Sequence, residues 1–196
     1  MALHPGVTAV IPTIPPRADY LRRALDSIHA QTRPVTGASI YVDHQHIGAA
    51  AARNRALAAV DTEYSAFLDD DDEWRPEHIL TLVKGAAETG ADVVYPWFDV
   101  VSSRAFDPWP GVFGRPFDPD DLRQRNYIPV TVLARTELVR DVGGFEPYGD
   151  QQESACDDWG LWRKLLAAGA RFHHAPARTW LWHWHGEHTS GLPDRW

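Results

Sequence analysis

Four consecutive aspartates, Asp69 to Asp72, stand out as residues that a folded chain has little reason to carry for packing alone. Adjacent carboxylates repel one another, so holding them together costs stability unless a cation compensates. Hard divalent cations take oxygen ligands and commonly bridge carboxylates to substrate phosphates. The run directly follows the apolar segment Ala66-Phe67-Leu68 and precedes Glu73-Trp74-Arg75-Pro76. That places it at the end of a strand rather than in an isolated acidic turn, which is its plainer alternative.

Other reactive groupings are weaker. His173, His174, His183, His185 and His188 crowd one stretch, and imidazole suits zinc. Yet there is no His-Glu-x-x-His, and the single cysteine, Cys156, belongs to no paired motif. Cys156 also lies beside Asp157 and Asp158, whose charges oppose thiolate formation. Neither a phosphate-cradling Gly-x-x-x-x-Gly-Lys-Ser/Thr loop nor a Gly-x-Ser-x-Gly elbow is present.

The elements that must position the aspartates alternate in type. Val7 to Ile11 is a short apolar run, as in a buried strand, closed by Pro12. Leu21, Ala24, Leu25 and Ile28 follow helical spacing. Ser39 to Val42 reads as a second strand closing at Asp43, Ile47 to Val60 as an Ala-rich helix, and Tyr64 to Leu68 as a third strand running into the aspartates. A helix over Glu77 to Glu88 and a strand over Asp92 to Trp97 follow. Alternating strands and helices imply a parallel sheet, which binds ligands at the carboxyl ends of its strands. Thr13, Asp43 and Asp69 to Asp72 all fall at such ends.

The second half is less regular. Residues 99 to 121 read as loops, Ile128 to Ala134 as a strand, Thr136 to Val142 as a short helix ended by Gly143-Gly144, and Asp157 to Ala168 as a helix. From Thr179 to His185 tryptophans alternate with leucine and histidine, which predicts a strand with its tryptophans on one face. No linker or repeat divides the chain. One domain over 1–196 is expected, with 1–98 as a nucleotide- and metal-binding half and 99–196 as an acceptor-side half.

Composition narrows the class. A net charge of −8 argues against a broad nucleic-acid-binding face. One cysteine excludes an intrachain disulfide and fits a reducing compartment. No stretch has the character of a signal peptide or reaches the roughly 18 apolar residues of a membrane span, so a cytoplasmic protein is expected. Nine tryptophans are many for 196 residues; rings of this kind stack on sugar faces, though core packing uses them too.

Five segments in order resemble an inverting family 2 glycosyltransferase of the GT-A fold. They are Val10-Ile11-Pro12-Thr13, Ala52-Arg53-Asn54, Ala66-Phe67-Leu68-Asp69-Asp70-Asp71-Asp72, Gly143-Gly144-Phe145 and Asp157-Asp158-Trp159. The resemblance implies an α/β fold, with a mostly parallel twisted sheet and helices on both faces. It also implies hexosyltransferase-like chemistry using a nucleoside-diphosphate sugar, UDP being the commonest donor nucleotide, with Mn2+ or Mg2+ on the diphosphate. By that resemblance Asp69-x-Asp71 is the DxD motif, with Asp71 the direct metal ligand. Asp69 and Asp70 contact ribose or metal waters, and Asp72 supports the loop.

Thr13, Asp43 and Arg53 match positions beside the nucleotide. Asp158 matches the general base, with Asp157 free to cap its helix. His185, or His183 two residues earlier, matches a C-terminal histidine that approaches the metal or diphosphate. One departure is local: the family often has Asp-Asp-Gly-Ser after the second strand, where this chain has Asp43-His44-Gln45-His46. The acceptor stays open among a glycan, a protein, a lipid carrier and a modified nucleobase. Two rival classes remain beside this reading. A nucleotidyltransferase would need a phosphate clamp from Arg17, Arg22 or Arg23, and a non-catalytic carbohydrate- or nucleotide-binding module would use the tryptophan-rich face.

Overall fold

A computed structural model describes residues 5–102, 114–146 and 157–184. Its strands are β1 (Val7–Thr13), β2 (Gly37–Val42), β3 (Tyr64–Phe67), β4 (Glu73–Trp74), β5 (Val93–Ser102), β6 (Leu133–Arg135) and β7 (Phe172–Trp184). Its α-helices are α1 (Ala18–His29), α2 (Ala49–Ala58), α3 (His78–Thr89), α4 (Pro119–Gln124), α5 (Thr136–Asp141) and α6 (Asp157–Ala167). A single 3₁₀ turn, Pro15–Arg17, leads into α1. No helix among the described residues is long and apolar enough to cross a membrane.

The strands form one sheet in the order β2-β1-β3-β6-β5-β7-β4. It is mixed rather than mostly parallel. The pairs β1–β2, β1–β3 and β5–β7 are parallel, whereas β3–β6, β5–β6 and β4–β7 are antiparallel. The reason lies in the loops. The segment before β6 meets the carboxyl end of β3, where Phe67 N–H donates to the carbonyl of Val132, so β6 starts at that end and must run back. β4 reverses in the same way, immediately after the turn made by the aspartates.

Period-two side-chain alternation sends one set of each strand to either face. On one face Ala9, Ile11, Ala66 and Leu133 pack against Ala24 and Ile28 of α1 and Ile79 and Leu82 of α3. On the other, Val10, Phe67, Val93 and Ala134 pack against Ala56 and Leu57 of α2, Val139 of α5 and Leu161, Trp162 and Leu165 of α6. Helices therefore cover both faces, as expected.

Prolines mark the differences from the sequence expectation. β1 continues through Pro12 to Thr13. The carbonyl of Val10 bonds Leu68 on the β3 side, so by the same alternation the missing N–H of Pro12 faces a neighbour that has already ended. β5 and β7 run longer than their alternation suggested, through a pairing irregularity between Tyr95↔His174 and Trp97↔Arg178. Pro96 and Pro176 both lie inside that irregularity, where no ladder donor is required. By contrast Ile128, Thr131 and Val132 are buried outside any strand, and only Leu133 to Arg135 pairs as one.

Two of the sequence motifs bind each other. Asn54 Nδ2 donates to the carbonyl of Phe145 at 2.7 Å, and Phe145 N–H donates back to Asn54 Oδ1 at 2.9 Å. Gly144 has φ of 68°, and a side chain there would also strike Asn54 Oδ1. The Phe145 ring then meets Phe67 edge-on at 5.1 Å. Arg140 reaches the carbonyls of Leu57 and Val60, closing the C-terminus of α2. Helix α2 is thus fixed at both its middle and its end. Asn54→Ala leaves a buried amide and carbonyl unpaired at once, each costing about 1–3 kcal/mol. Chemical denaturation should show a loss of about 2–4 kcal/mol; a loss under about 0.5 kcal/mol would mean that water replaces the pair.

Candidate active site

The carboxyl ends of β1, β2 and β3 converge, and the aspartates sit there as a tight turn with Asp72 N–H on the Asp69 carbonyl at 3.2 Å. Each carboxylate has a different environment. Asp70 Oδ2 accepts the Thr13 hydroxyl at 2.6 Å, and its Oδ1 accepts Arg17 at 2.8 Å. Arg17 also reaches Asp71 Oδ2 at 3.3 Å. Asp72 Oδ1 accepts the His183 backbone N–H at 2.9 Å, which ties β7 to the turn. Asp69 Oδ1 accepts Arg53 at 2.6 Å.

Oxygens of Asp69, Asp71 and Asp72 lie within 4.8 Å of one another. Three hard oxygen donors in that space fit a divalent cation such as Mg2+ or Mn2+. Asp72, expected only to support the loop, both does so and joins this cluster. The electrostatics fit the same purpose. Burial raises the Asp72 carboxyl well above the usual range, and Asp71 and Asp69 push it further. Burial also raises Asp70 to about 6, although Thr13 and Arg17 oppose the shift. A bound cation would relieve both.

Arg53 is the connecting residue. It is 6 % exposed, and its two terminal nitrogens divide between Asp69 and Asp157. Burial works against its charge, but Asp157 and then Asp69 more than offset this, so the guanidinium stays charged. Helix α2 brings it there because Ala50, Ala52 and Ala56 are small enough to bury the helix beside the sheet. Residues distant in sequence, from β3 and α6, thereby meet across one planar donor fork.

At the start of α6, Asp157 Oδ1 accepts the Asp158 N–H at 3.0 Å, a capping contact. Asp158 is half-buried, and its Oδ1 accepts Trp159 N–H at 2.7 Å and Asn126 Nδ2 at 3.0 Å. Burial, then the charge of Asp157, raises Asp158 to about 7; Arg53 pulls the other way. A carboxyl that gains and loses its proton near neutrality suits general acid–base work.

Asp43 is fully buried. Its two oxygens accept the N–H groups of Gln45 and Gly48, both at 3.1 Å, and so shape the turn after β2. That turn takes positive φ at His46 (54°) and Gly48 (90°), and so replaces the Gly-Ser turn absent from this sequence. His185 lies outside the described residues. His183 stands on the face of β7 opposite Trp180 and Trp182, with Nε2 at 2.7 Å from Glu73 Oε1. Arg23 completes this group, at 3.0 Å from Glu73 and with a hydrogen bond to the Asp71 carbonyl.

Sequence reasoning had assigned Arg17 and Arg23 only to a rival phosphate clamp, whereas they surround the aspartates. Arg17 was locatable from its nearness to Thr13. Asn126 carried no signal, since nothing in its local sequence marks a partner in α6.

Residues 37–132 match the model of glycosyl transferase family 2. The chain is 29 % identical over 202 residues to the pre-mycofactocin glycosyltransferases of two strains of Mycobacterium tuberculosis, CDC 1551 / Oshkosh and ATCC 25618 / H37Rv. That similarity covers 88 % of this chain but 42 % of each relative, so the chain spans less than half the length of these proteins. Crystal structures of S. aureus TarS residues 1–349 share the fold. The complex with UDP-GlcNAc matches with a TM-score of 0.73 at 17 % identity, over 95 % of this chain and 61 % of that one. The complex with UDP matches at 0.70 and 18 %, over 93 % and 61 %.

Arg53→Met keeps the length of the side chain and removes its charge. Breaking a buried ion pair by removing one partner costs about 3–5 kcal/mol. Asp69 and Asp157 would then lose their shared counter-ion. Burial already raises Asp69 above its ordinary value, so its ionisation in the fold destabilises and its protonation relieves. The deficit relative to wild type should therefore grow as pH rises above the ordinary carboxylate range in urea titrations. A deficit that is constant with pH would rule out this account of the charge network.

Proposed function

From the match of residues 37–132 to the model of glycosyl transferase family 2, we propose that the chain transfers a sugar from a nucleoside-diphosphate sugar, UDP being the favoured nucleotide, to an acceptor hydroxyl with inversion at C1. The observation that carries this reading is the shared counter-ion. Arg53 joins the metal-fitting aspartates after β3 to Asp157 of the Asp157-Asp158 pair of α6, which supports reading the two groups as parts of one site. The TarS complexes with UDP and UDP-GlcNAc are consistent with such a donor in this fold.

In this proposal Asp69, Asp71 and Asp72 hold Mn2+ or Mg2+, with Asp71 the principal ligand and His185 a further candidate. When bound, the cation neutralises charge developing on the departing diphosphate. Arg17 orients the donor phosphates, to which its planar fork is suited, and Arg53, committed to Asp69 and Asp157, holds the carboxylates beside the nucleotide. Thr13 fixes Asp70 and so the shape of the turn. Asp43 holds the adjoining loop beside the nucleotide. Asp158 accepts the proton of the acceptor hydroxyl as its oxygen attacks, and its placement near neutral pKa leaves a useful fraction ionised.

Thermal-shift measurements with UDP should show stabilisation that depends on Mn2+ or Mg2+; none with any nucleoside diphosphate would contradict the donor site. Turnover should release nucleoside diphosphate, whereas pyrophosphate would identify a nucleotidyltransferase. Asp158→Asn should lower kcat by about 10²–10⁴-fold, the range for loss of a general base. Transfer at the wild-type rate would remove Asp158 from that role.

A further inference from the structure

We propose that Asn126 is a positioning residue for Asp158, holding one carboxylate oxygen so that the other is left to take the acceptor's proton. The inference rests on the reading of Asp158 as the base. Asn126 Nδ2 donates to Asp158 Oδ1, the same oxygen that accepts the Trp159 N–H. Two donors therefore converge on Oδ1, and among the described residues no hydrogen bond is made to Oδ2. These contacts make the two oxygens chemically unequal: Oδ1 takes both donors, and Oδ2 takes neither and is the one assigned to the incoming proton.

The orientation of Asn126 is itself determined. Its Oδ1 accepts the Ile128 N–H at 3.1 Å, so the amide has only its NH₂ to turn toward Asp158. The carbonyl of Ile128 accepts Trp162 Nε1–H at 2.9 Å. Trp162 follows Asp158 by one helical turn, on the same side of α6. Trp159 Nε1–H donates to the carbonyl of Leu122 at 2.7 Å. The segment from Leu122 to Ile128 is thus fastened along α6 at three points, and Asn126 is the one whose contact lands on the carboxylate.

The residue type matters. A lysine there would stabilise the carboxylate too well for it to act as a base, and an aspartate would oppose its ionisation. An amide orients the carboxylate while adding no charge. The charged groups facing Asp158 are Asp157, beside it on α6, and Arg53 of α2. Asn126 adds a third, neutral influence, favouring the ionised form through a donated hydrogen bond.

The test uses the whole chain labelled at the aspartate carboxyl carbons, with Asp158 assigned by the signal lost in Asp158→Asn. Carbon NMR then follows its titration in wild type, Asn126→Ala and Asn126→Asp. Loss of the donor should move the Asp158 titration upward by about one unit in Asn126→Ala. The near-isosteric Asn126→Asp should move it further in the same direction.

In parallel, release of UDP from UDP-GlcNAc with Mn2+ and water as acceptor should show kcat reduced about 10-fold in Asn126→Ala, with KM within about twofold. An Asp158 titration unchanged in both variants overturns the proposal even if they melt earlier, because a merely structural asparagine would alter stability alone. If Asp158→Asn is slow and the Asn126 variants match wild type, the positioning role fails while Asp158 stands as base. If Asp158→Asn releases UDP at the wild-type rate, the reading of Asp158 as base fails and the positioning role fails with it.

Discussion

A buried guanidinium shared by two carboxylates organises this protein. An unpaired charge in such a place would cost several kcal/mol, and so would either carboxylate without it. The Arg53 fork therefore constrains three elements simultaneously: the end of β3 through Asp69, the start of α6 through Asp157, and α2 itself. Much of the surrounding architecture serves to keep that fork in place. Alanines let α2 lie close to the sheet, Arg140 closes its end, and Asn54 locks it to the backbone at Phe145. The Phe145 ring also lies against the guanidinium, at 5.6 Å. Two sequence motifs separated by some ninety residues, Arg53-Asn54 and Gly144-Phe145, are halves of one contact surface.

The aspartate turn represents the opposite choice, electrostatic stress retained rather than removed. Its carboxylates are buried close enough to raise one another, and Arg17 at Asp70 and Arg53 at Asp69 compensate only in part. A protein selected for stability alone would dilute this charge. In the proposed function this charge has a use, because a cation bound there would relieve a cost already present in the free protein. The carboxyl ends of β1, β2 and β3 are suited to the task, since the strands stop there together and their following loops can crowd polar groups without breaking the core.

Asp158 illustrates how one side-chain type takes two roles through its surroundings. Asp157 satisfies one helix amide and Arg53; its neighbour, pushed toward neutral pKa by burial and by the charge of Asp157, is the one that the proposed function makes the proton acceptor. The segment before β6 contributes to this, and it does so by not forming the strand that its apolar residues suggested. Ile128 instead gives its carbonyl to Trp162 and its N–H to Asn126, which a ladder strand could not have spared.

What the sequence alone determined was local and periodic. Alternating strands and helices, the aspartates at a strand end, the helix opened by Asp157 and the tryptophan face of β7 could all be read there, because each depends on spacing along the chain. The antiparallel return of β6 and β4, the length of β5 and β7 across two prolines, and the partners of each carboxylate were decided only in three dimensions. Strand direction depends on where a loop delivers the chain, and a hydrogen bond such as Asn126 to Asp158 depends on two segments that share no sequence pattern. Arg53 lies between the two cases. Its type and place on a helix were legible; that it holds both Asp69 and the far more distant Asp157 was not, since charge pairing across a fold leaves no periodic trace.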